Sequence, residues 1–474
     1  MAEGDTALEG REGASPDAQV GTHNKRKVFV SLPVNYSDFK VHVLTWNVAS
    51  ALPSPHEIES LFLPQEGMML KDLYNMTDIV VVGLQEAYQN VQDAVSSSIP
   101  LVGKDPLVEA FSAFLSQKGF SRLTYCRMLG VLNMVFVKRP LLCYIKDVVT
   151  CTTKTGFGGW VGNKGASSIR FTIGDIGVCF TNCHLVPHPE NNDKRVLELH
   201  DIFESTVFET TKLPLTRLLD HDVLVLFGDL NFRVEGKEFN DVVEMLKKRR
   251  TRDLFQLDQL RIEQVKGEES PSNLYHFMEM PIDFPPSYKY EPDTDAYHDG
   301  GKGRAPAWCD RVLWRTHERR LPKITDAYPH SLMTQEYYGI HMQPRISDHK
   351  AVSAGLTLSI DISNVTPPVI FRLVEWVCGL QGTISFDIAA NTEVSVWDWI
   401  GLYPSNFSST DREYVYWIWT PALRGRLPRE QVYSRLLAPE QVPTVPGTYI
   451  LLYKSAHYGR VIGMSPIFRI RPLE

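Results

Sequence analysis

The chain has 474 residues, 43% of them hydrophobic and 11% aromatic, and a formal charge of −7. That length exceeds one ordinary domain and implies two or more, each able to fill a core. The mildly acidic balance argues against a protein that holds nucleic acid by bulk electrostatics, without excluding a local basic pocket. Seven cysteines lie scattered with no C-x-x-C pair, a usage that points to free thiols in a reducing compartment. No apolar run reaches bilayer-spanning length, so the expected setting is the cytoplasm, including its membrane surfaces.

Residues 1–26 are Gly-, Ala- and acid-rich and lack an apolar h-region. They are expected to be a disordered tail rather than a secretory signal, with order beginning near Lys27. Lys40 to Asn47 reads as a strand ending in the pair Trp46-Asn47. His56 to Met76 is amphipathic and helix-like, interrupted near Pro64 and Gly67. Ile79 to Leu84 is a buried strand running into Gln85 and Glu86. Pro106 to Gly119 predicts a helix with apolar Leu107, Phe111 and Phe114. Strands follow at Val131–Val137, Ile145–Cys151, Ser167–Ile173 and Ile176–His184, then a helix capped by Asn192 or Asp193 and reaching about Val207.

The stretch Val223 to Arg233, VLVLFGDLNFR, starts as a buried strand and stops abruptly. Gly228 is expected to allow a tight turn there. If the chain stays extended, Asp229 and Asn231 project together from the strand end; an Asx-type turn is the competing reading. A helix near Asn240–Arg250 leads into the basic run Lys247, Lys248, Arg249, Arg250 and Arg252. The run suits a solvated helix end, its cations favouring the negative pole, with nucleic-acid or membrane contact as the alternative. Residues from Pro281 to Gly303 are rich in Pro, Tyr, Asp and Gly, the composition of a binding loop. Val312 and Leu313 lead into another strand, and Ala351–Ile360 reads as the last of this region. Beyond Asn364–Pro368 come short aromatic strands and turns, a separate all-β sandwich of about a hundred residues.

Polar residues end or open the apolar runs: Asn47, Glu86, His184, Asp229 with Asn231, Asp310, and Asp348 with His349. Packed sheets would bring these ends to one rim. Asn, Glu and Asp suit a hard oxygen-seeking cation such as magnesium, and no Cys/His cluster favours zinc. An Asp beside a His orients and charge-stabilises the imidazole. Together these make a kit for hydrolysing a phosphate ester. His184 and His188 have i, i+4 spacing, but Pro187 and Pro189 flank His188, so a helical metal pair is rejected and His188 reads as a loop residue. The glycine-rich stretch Gly156–Gly165 does not match the P-loop, although Lys164 favours phosphate contact. Lys289, Lys302 and Arg304 on the long loop suit recognition of extra phosphates.

At these residues the chain resembles the inositol polyphosphate 5-phosphatases. RAPAWCDRVL (Arg304–Leu313) matches that family's second signature and FGDLNFR most of the first, with Leu226 where the family usually has Trp. WNVAS, GLQE, WVGNKGA, the Tyr288-Lys289 pair and SDHKAV match in order. The resemblance implies an α/β fold, a deoxyribonuclease-I-like four-layer α/β sandwich, in a catalytic domain over residues 27–360. It implies magnesium at Asn47 and Glu86 with Asp348 near it. Asp229 would orient or deprotonate water beside Asn231, Asp310 would hold His349, and His184 would face the reacting phosphate. Tyr288, Lys289, Lys302 and Arg304 would grip a 4-phosphate, and Asn163, Lys164 and Arg233 would line the substrate pocket.

The tail, residues 361–474, resembles the SKICH domain through WDWIGLY and GTYILLYK. It is expected to be an immunoglobulin-like sandwich that binds a protein partner. The implied activity is magnesium-dependent removal of the 5-phosphate from phosphoinositides at a membrane surface, and from soluble inositol polyphosphates. The expected enzyme is a monomer that binds no nucleic acid, recruited peripherally to the plasma membrane or endoplasmic reticulum. The alternatives are a nuclease or abasic endonuclease of the same fold, which would not need the cation-bearing loop Tyr288–Arg304, and a non-catalytic SKICH adaptor.

Overall fold

The computed structural model describes residues 38–63, 76–87, 105–156, 161–210, 213–299, 304–320, 332–372, 375–411, 413–420 and 424–473. The expected tail, the start of order near Lys27 and much of the helix expected over His56–Met76 lie outside these residues. The elements are β1 (Asp38–Asn47), α1 (Pro55–Ser60), β2 (Ile79–Gln85), α2 (Pro106–Gln117), β3 (Phe120–Met128), β4 (Val131–Lys138), β5 (Ile145–Gly156), β6 (Val161–Ile173) and β7 (Ile176–His184). There follow α3 (Asn192–Ser205), β8 (Val207–Thr210), β9 (Leu213–Arg217), β10 (Val223–Asp229), α4 (Phe239–Lys247), α5 (Thr251–Phe255), α6 (Gln259–Lys266), β11 (Asp310–Thr316), β12 (Met333–His341) and β13 (Ala351–Ser359).

Two sheets result, one in the order β12-β13-β1-β2-β4-β3 and one in the order β11-β10-β7-β6-β5. β1 runs parallel to β2, and β7 to β10. Their inner faces meet through Val41, Val43 and Val81 on one side and Ile169, Phe180 and Val225 on the other. Outside, α2 lays Phe111 and Leu115 into the cluster of Leu44, Trp46 and Phe136. α3 lays Leu199 and Ile202 into that of Leu224 and Leu226. Both faces of each sheet are covered, which is why β2 and β10 are continuous apolar runs rather than alternating ones. Local signals start the helices. Ser54 and Glu57 close a capping box around Pro55, and the Asp105 carboxylate accepts from Leu107 N at 3.1 Å.

Several elements differ from the sequence expectation. β3 and β12 are the two borders of the first sheet, so only part of each strand is buried, and FSRLTYCRM and MTQEYYGIH carry no clear apolar run. α3 stops at Ser205, because Thr206 is extended and β8 begins at Val207. Gly228 is not at a turn. It lies inside β10 at φ +133, where an added Cβ would meet the Cys183 carbonyl oxygen at 2.0 Å, so its absent side chain serves close strand approach.

The two sheets are tied by buried carboxamides. Asn182 of β7 donates from Nδ2 to the carbonyls of Leu84 (3.2 Å) and Leu132 (2.9 Å) in the facing sheet. Asn133 of β4 does the reverse, donating to Ser167 O (2.9 Å) and Phe180 O (3.0 Å). Gln85 Nε2 joins them, donating to Asn182 Oδ1 (2.6 Å) and Thr45 Oγ1 (3.1 Å).

After β13 the chain is all β: β14 (Val369–Phe371), β15 (Trp376–Val377), β16 (Gly382–Ile388), β17 (Glu393–Val394), β18 (Trp399–Pro404), β19 (Tyr416–Trp419), β20 (Gly425–Arg426), β21 (Gln431–Leu437), β22 (Gly447–Ser455), β23 (Arg460–Met464) and β24 (Phe468–Arg471). Its core gathers Phe386, Ile388, Leu402, Leu451 and Tyr453. This part does not hang free. Tyr403, Phe407, Ile450 and Leu452 join Leu141, Leu142 and Tyr144 in one apolar cluster with the first two sheets. Arg122 N donates to Ser408 O at 2.7 Å, Arg139 to Phe407 O at 2.9 and 3.0 Å, and Arg460 to Cys143 O at 2.8 Å. These contacts lie at the start of β3 and the end of β4, the opposite ends of the sheets from Asn47 and Asp229. Among the described residues no helix is long and apolar enough to cross a membrane.

Asn182→Leu deletes three buried side-chain hydrogen bonds, to Leu84 O, to Leu132 O and from Gln85 Nε2, each worth roughly 0.5–1.5 kcal/mol net. The first unfolding transition in urea is expected to move to clearly lower concentration, by about 2 kcal/mol or more in stability; an unchanged midpoint would show that the carboxamides do not hold the sheets.

Candidate active site

β10 ends in Asp229, and Leu230 N donates to Cys309 O at 2.8 Å as the chain leaves the sheet. Asn231 then turns left-handed (φ +57), its N–H donating to Asp229 Oδ1 at 3.1 Å and its Nδ2 to Leu185 O at 3.0 Å. The extended conformation therefore does not persist, and an Asx-type turn aims both side chains at the same cavity.

Asp229 is the hub. Its Oδ2 accepts from Asn47 Nδ2 at 3.0 Å and lies 3.3 Å from His184 Nε2 and 3.9 Å from His349 Nε2. His349 Nδ1 pairs with Asp310 Oδ2 at 2.9 Å, and Ser287 Oγ donates to the same oxygen at 2.7 Å. The His349 backbone is pinned by Trp46 Nε1, which donates to its carbonyl (3.2 Å), and by Ser347 Oγ, which accepts from its N–H (3.1 Å). Lys164 Nζ contacts His184 Nε2.

Burial alone would depress His349, but the carboxylates of Asp310 and Asp229 outweigh it and lift its pKa to about 9. Burial opposes ionisation of Asp229, yet His349 and His184 override it and hold the carboxyl well below its usual range. His184 is pushed down by burial and by Lys164, and Lys164 itself by burial. Burial pushes Asp310 up, offset only in part by His349. The rim thus carries a cationic His349 beside an anionic Asp229 at neutral pH.

Above these groups opens a cavity of about 600 Å³ lined by Glu86, Lys164, His184, Asp229, Asn231, Arg233, Tyr288, Lys289, Arg304, Asp348 and His349. These residues come from separated parts of the chain, and all were expected at the site. Asn47 and Asp310 sit beneath them, in contact with Asp229 and His349. Asn163 does not line the cavity: it neighbours Lys164 on β6, and adjacent strand residues face opposite ways. Lys302 lies outside the described residues. Arg233 stacks over the Tyr288 ring at 4.7 Å, and Arg304 Nη1 donates to Tyr288 OH at 2.7 Å. Lys289 Nζ pairs with Asp348 Oδ2 at 2.6 Å.

An oxygen-seeking cation fits beside Glu86. Its side chain is 40% exposed, and among the described residues no Lys or Arg lies within ion-pair distance of it; His184 Nε2 lies at 4.0 Å, on an imidazole whose pKa is pushed down. Asp229, Asp310 and His349 also place ligand atoms within 4.8 Å of one another, but there the imidazolium already holds the cation position.

Some site residues had no legible signal. Glu291 and His298 line the cavity in a side-chain hydrogen bond, and Ser287 donates to Asp310; each is an ordinary loop residue in sequence, whereas Ser347, which sets His349, stands inside SDHKAV. Gln85 and Asn182 had one, a polar side chain inside an apolar run. His188, read as a loop residue, does line the cavity from a left-handed backbone (φ +78), as Glu86 does (φ +51). Such conformations concentrate where function over-determines the backbone.

Two facing sheets with His and Asp pairs at one rim define a phosphoesterase architecture, and residues 44–355 match Endonuclease/Exonuclease/phosphatase family 2. Residues 369–470 match the SKICH domain. The chain belongs to the inositol polyphosphate 5-phosphatases that carry a C-terminal SKICH domain. It is 34% identical over 439 residues to inositol polyphosphate 5-phosphatase K of Mus musculus, covering 91% of this chain and 89% of that one. It is 31% identical over 435 residues to phosphatidylinositol 4,5-bisphosphate 5-phosphatase A of Homo sapiens, covering 91% of this chain but 42% of that longer protein. Among solved structures it resembles the inositol polyphosphate 5-phosphatase domain of SPsynaptojanin in complex with inositol (1,4)-bisphosphate and calcium ion. That match has TM-score 0.55 and 28% identity, and covers 68% of this chain and 84% of that one.

Asp310→Asn removes the larger carboxylate influence on His349. In the metal-free protein the imidazole is expected to titrate near 9 in the wild type and to fall toward or below its ordinary 6.5 in the variant, followed by NMR of the ring nitrogens. Because the folded value is raised, the stability His349 contributes is complete below pH 6.5 and is lost as pH rises through 9.

Proposed function

We propose that the chain hydrolyses the 5-phosphate of phosphoinositides, phosphatidylinositol 4,5-bisphosphate and 3,4,5-trisphosphate, and of soluble inositol polyphosphates, with magnesium. The observation that carries this reading is the cavity itself: a charged His349–Asp310 pair and Asp229 at its floor, with Lys164, Arg233, Lys289 and Arg304 around its walls. A nuclease has no need of so many cations around one cavity.

Glu86, Asn47 and Asp348 would hold the magnesium, which when bound polarises the phosphoryl group. Asp229, ionised at all working pH, accepts a hydrogen bond from the attacking water and orients it. A carboxylate held so far below its usual range is a weak base, which suits a loose transition state that needs positioning more than proton removal. His349, kept charged by Asp310, donates from Nε2 to the developing phosphoryl charge. His184 and Lys164 face the same group from the opposite sheet. Tyr288, Lys289 and Arg304, with Lys302, hold the 4-phosphate, and Lys289 exchanges Asp348 for it.

The catalytic unit is residues 27–360, preceded by a tail over 1–26, and residues 361–474 form the SKICH domain. That domain addresses a monomeric cytoplasmic enzyme to a protein partner and so to a membrane, the plasma membrane or endoplasmic reticulum. Among the described residues it adds no group to the cavity, which is lined by residues before Ala351.

Release of inorganic phosphate from phosphatidylinositol 4,5-bisphosphate is expected to vanish in EDTA and return with magnesium; full activity after chelation, or rescue by zinc alone, would overturn the metal assignment. Asp229→Ala is expected to lower kcat by two orders of magnitude or more in a folded protein, and near-normal turnover would remove Asp229 from the mechanism. Arg304→Ala should lower kcat/KM about tenfold on substrates bearing a 4-phosphate and leave substrates without it nearly unchanged. An equal loss on both would make Arg304 a structural residue.

A further inference from the structure

Tryptophan is large and highly buried on average, yet three tryptophans stand in water together on the SKICH domain. Trp397, Trp417 and Trp419 are 65%, 40% and 44% exposed, and every other tryptophan among the described residues is buried or half-buried. They form one row. Trp397 meets Trp419 edge to face at 5.9 Å, Trp419 meets Trp417 at 4.9 Å, and Trp417 meets the half-buried Trp399 at 6.4 Å. Lys454 Nζ lies over Trp399 at 5.2 Å, and Trp399 packs against the cluster that joins the two halves of the molecule. The row therefore continues the inter-domain contact and is held by it.

The strand beneath is an edge. Among the described residues β19 pairs only with β18, Trp419 opposite Trp399 and Trp417 opposite Gly401. Thr420 N donates to Asp398 O at 3.0 Å, so hydrogen-bonded pairs fall at Thr420, Ile418 and Tyr416, and the backbone N–H and C=O of Trp417 and Trp419 point away from the sheet. The Trp419 carbonyl is met by Arg435 Nη1 at 2.8 Å, from β21, the border strand at the other end of the same sheet. Arg424 and Arg426 are exposed in and beside β20, whose partner β17 ends three residues before Trp397.

We propose that β19 is a strand-addition site for an extended peptide segment of a partner protein, with apolar side chains at alternate positions and at least one carboxylate. The peptide backbone would pair with Trp417 and Trp419, its alternate side chains would lie on the indole row, and its carboxylate would meet Arg435, which leaves the Trp419 carbonyl to a peptide N–H. The arginines select acidic over basic partners. The edge-to-face row presents rigid area at little entropic cost, which is how tryptophan comes to dominate protein interfaces. This names the surface and ligand chemistry for the partner-binding role of the SKICH domain proposed above, and rests on it.

The test is selection of random twelve-residue peptides on the full-length protein, followed by binding of the enriched peptides in solution. Expected are sequences alternating apolar residues with Asp or Glu, and amide hydrogen exchange at Trp417 and Trp419 slowed on binding. Binding is expected to weaken about tenfold or more in Trp417→Ala/Trp419→Ala, with turnover of a soluble inositol polyphosphate unchanged. Trp397→Ala and Arg435→Ala, one at the open end of the row and one off it, keep the test open if the double variant does not fold; each should weaken binding severalfold. Enriched peptides that bind the variants as well as wild type would put the partner elsewhere on the domain and overturn the site. Failure to enrich any peptide would overturn the partner-binding role together with it. Tryptophan-dependent binding to phosphatidylcholine/phosphatidylserine vesicles in place of peptides would make the row a membrane contact and also overturn the proposal.

Discussion

The site exists because two sheets hold one fixed register, and that register rests on the facing carboxamides of Asn133 and Asn182. Apolar burial presses the sheets together but is non-directional and tolerates sliding. Each carboxamide instead donates to two backbone carbonyls of the opposite sheet. A slip of one residue along a strand is roughly 3.3 Å, enough to break the 3.0 Å contact between Asn47 and Asp229. Functional groups tolerate about 0.5 Å, so hydrophobic packing alone would not keep Asn47 and Glu86 on one sheet facing His184, Asp229 and Asp310 on the other. The arrangement has a cost, since Gln85 Oε1 and Asn133 Oδ1 are buried without a hydrogen-bond partner.

The electrostatics of the rim follow from the same geometry. Asn47 and Glu86 belong to or follow β1 and β2, while His184, Asp229 and Asp310 belong to β7, β10 and β11 of the facing sheet. His349 precedes β13 and is shared between Asp310 and Asp229. Burial would neutralise each group separately, and mutual proximity keeps His349 and Asp229 oppositely charged. Pairing of this kind preorganises charge before a substrate arrives, so no reorganisation is needed when the phosphoryl group develops its own.

The SKICH domain attaches at the far ends of the strands from the catalytic rim, through a shared apolar cluster and three arginines that reach backbone carbonyls or carry a backbone bond. Its indole row is thereby fixed in orientation relative to the cavity. A domain hung on a flexible linker would leave that relation undefined. Here a partner seated on β19 would set how the cavity is presented.

Much of this was legible in the order of residues alone. Buried strands covered on both faces announce themselves as continuous apolar runs, so β2, β7 and β10 and the polar residues that end them were readable, as were the signatures around FGDLNFR and RAPAWCDRVL. Short-range chemistry of that kind is written in adjacent positions. Edge strands such as β3 and β12 were not, because partial burial dilutes their pattern. Neither was the conformation after Asp229, where a local Asx turn competes with continued extension and only the contacts with Leu185 and Cys309 select the turn. Asn163 fell away from the cavity while Lys164 entered it, a choice made by strand pleat. The resemblance already paired Asp310 with His349, but the lifted pKa of that imidazole, the Glu291–His298 contact and the inter-domain cluster join residues distant in the chain. Those properties depend on distances of a few ångströms between separate strands, and only packing decides such distances.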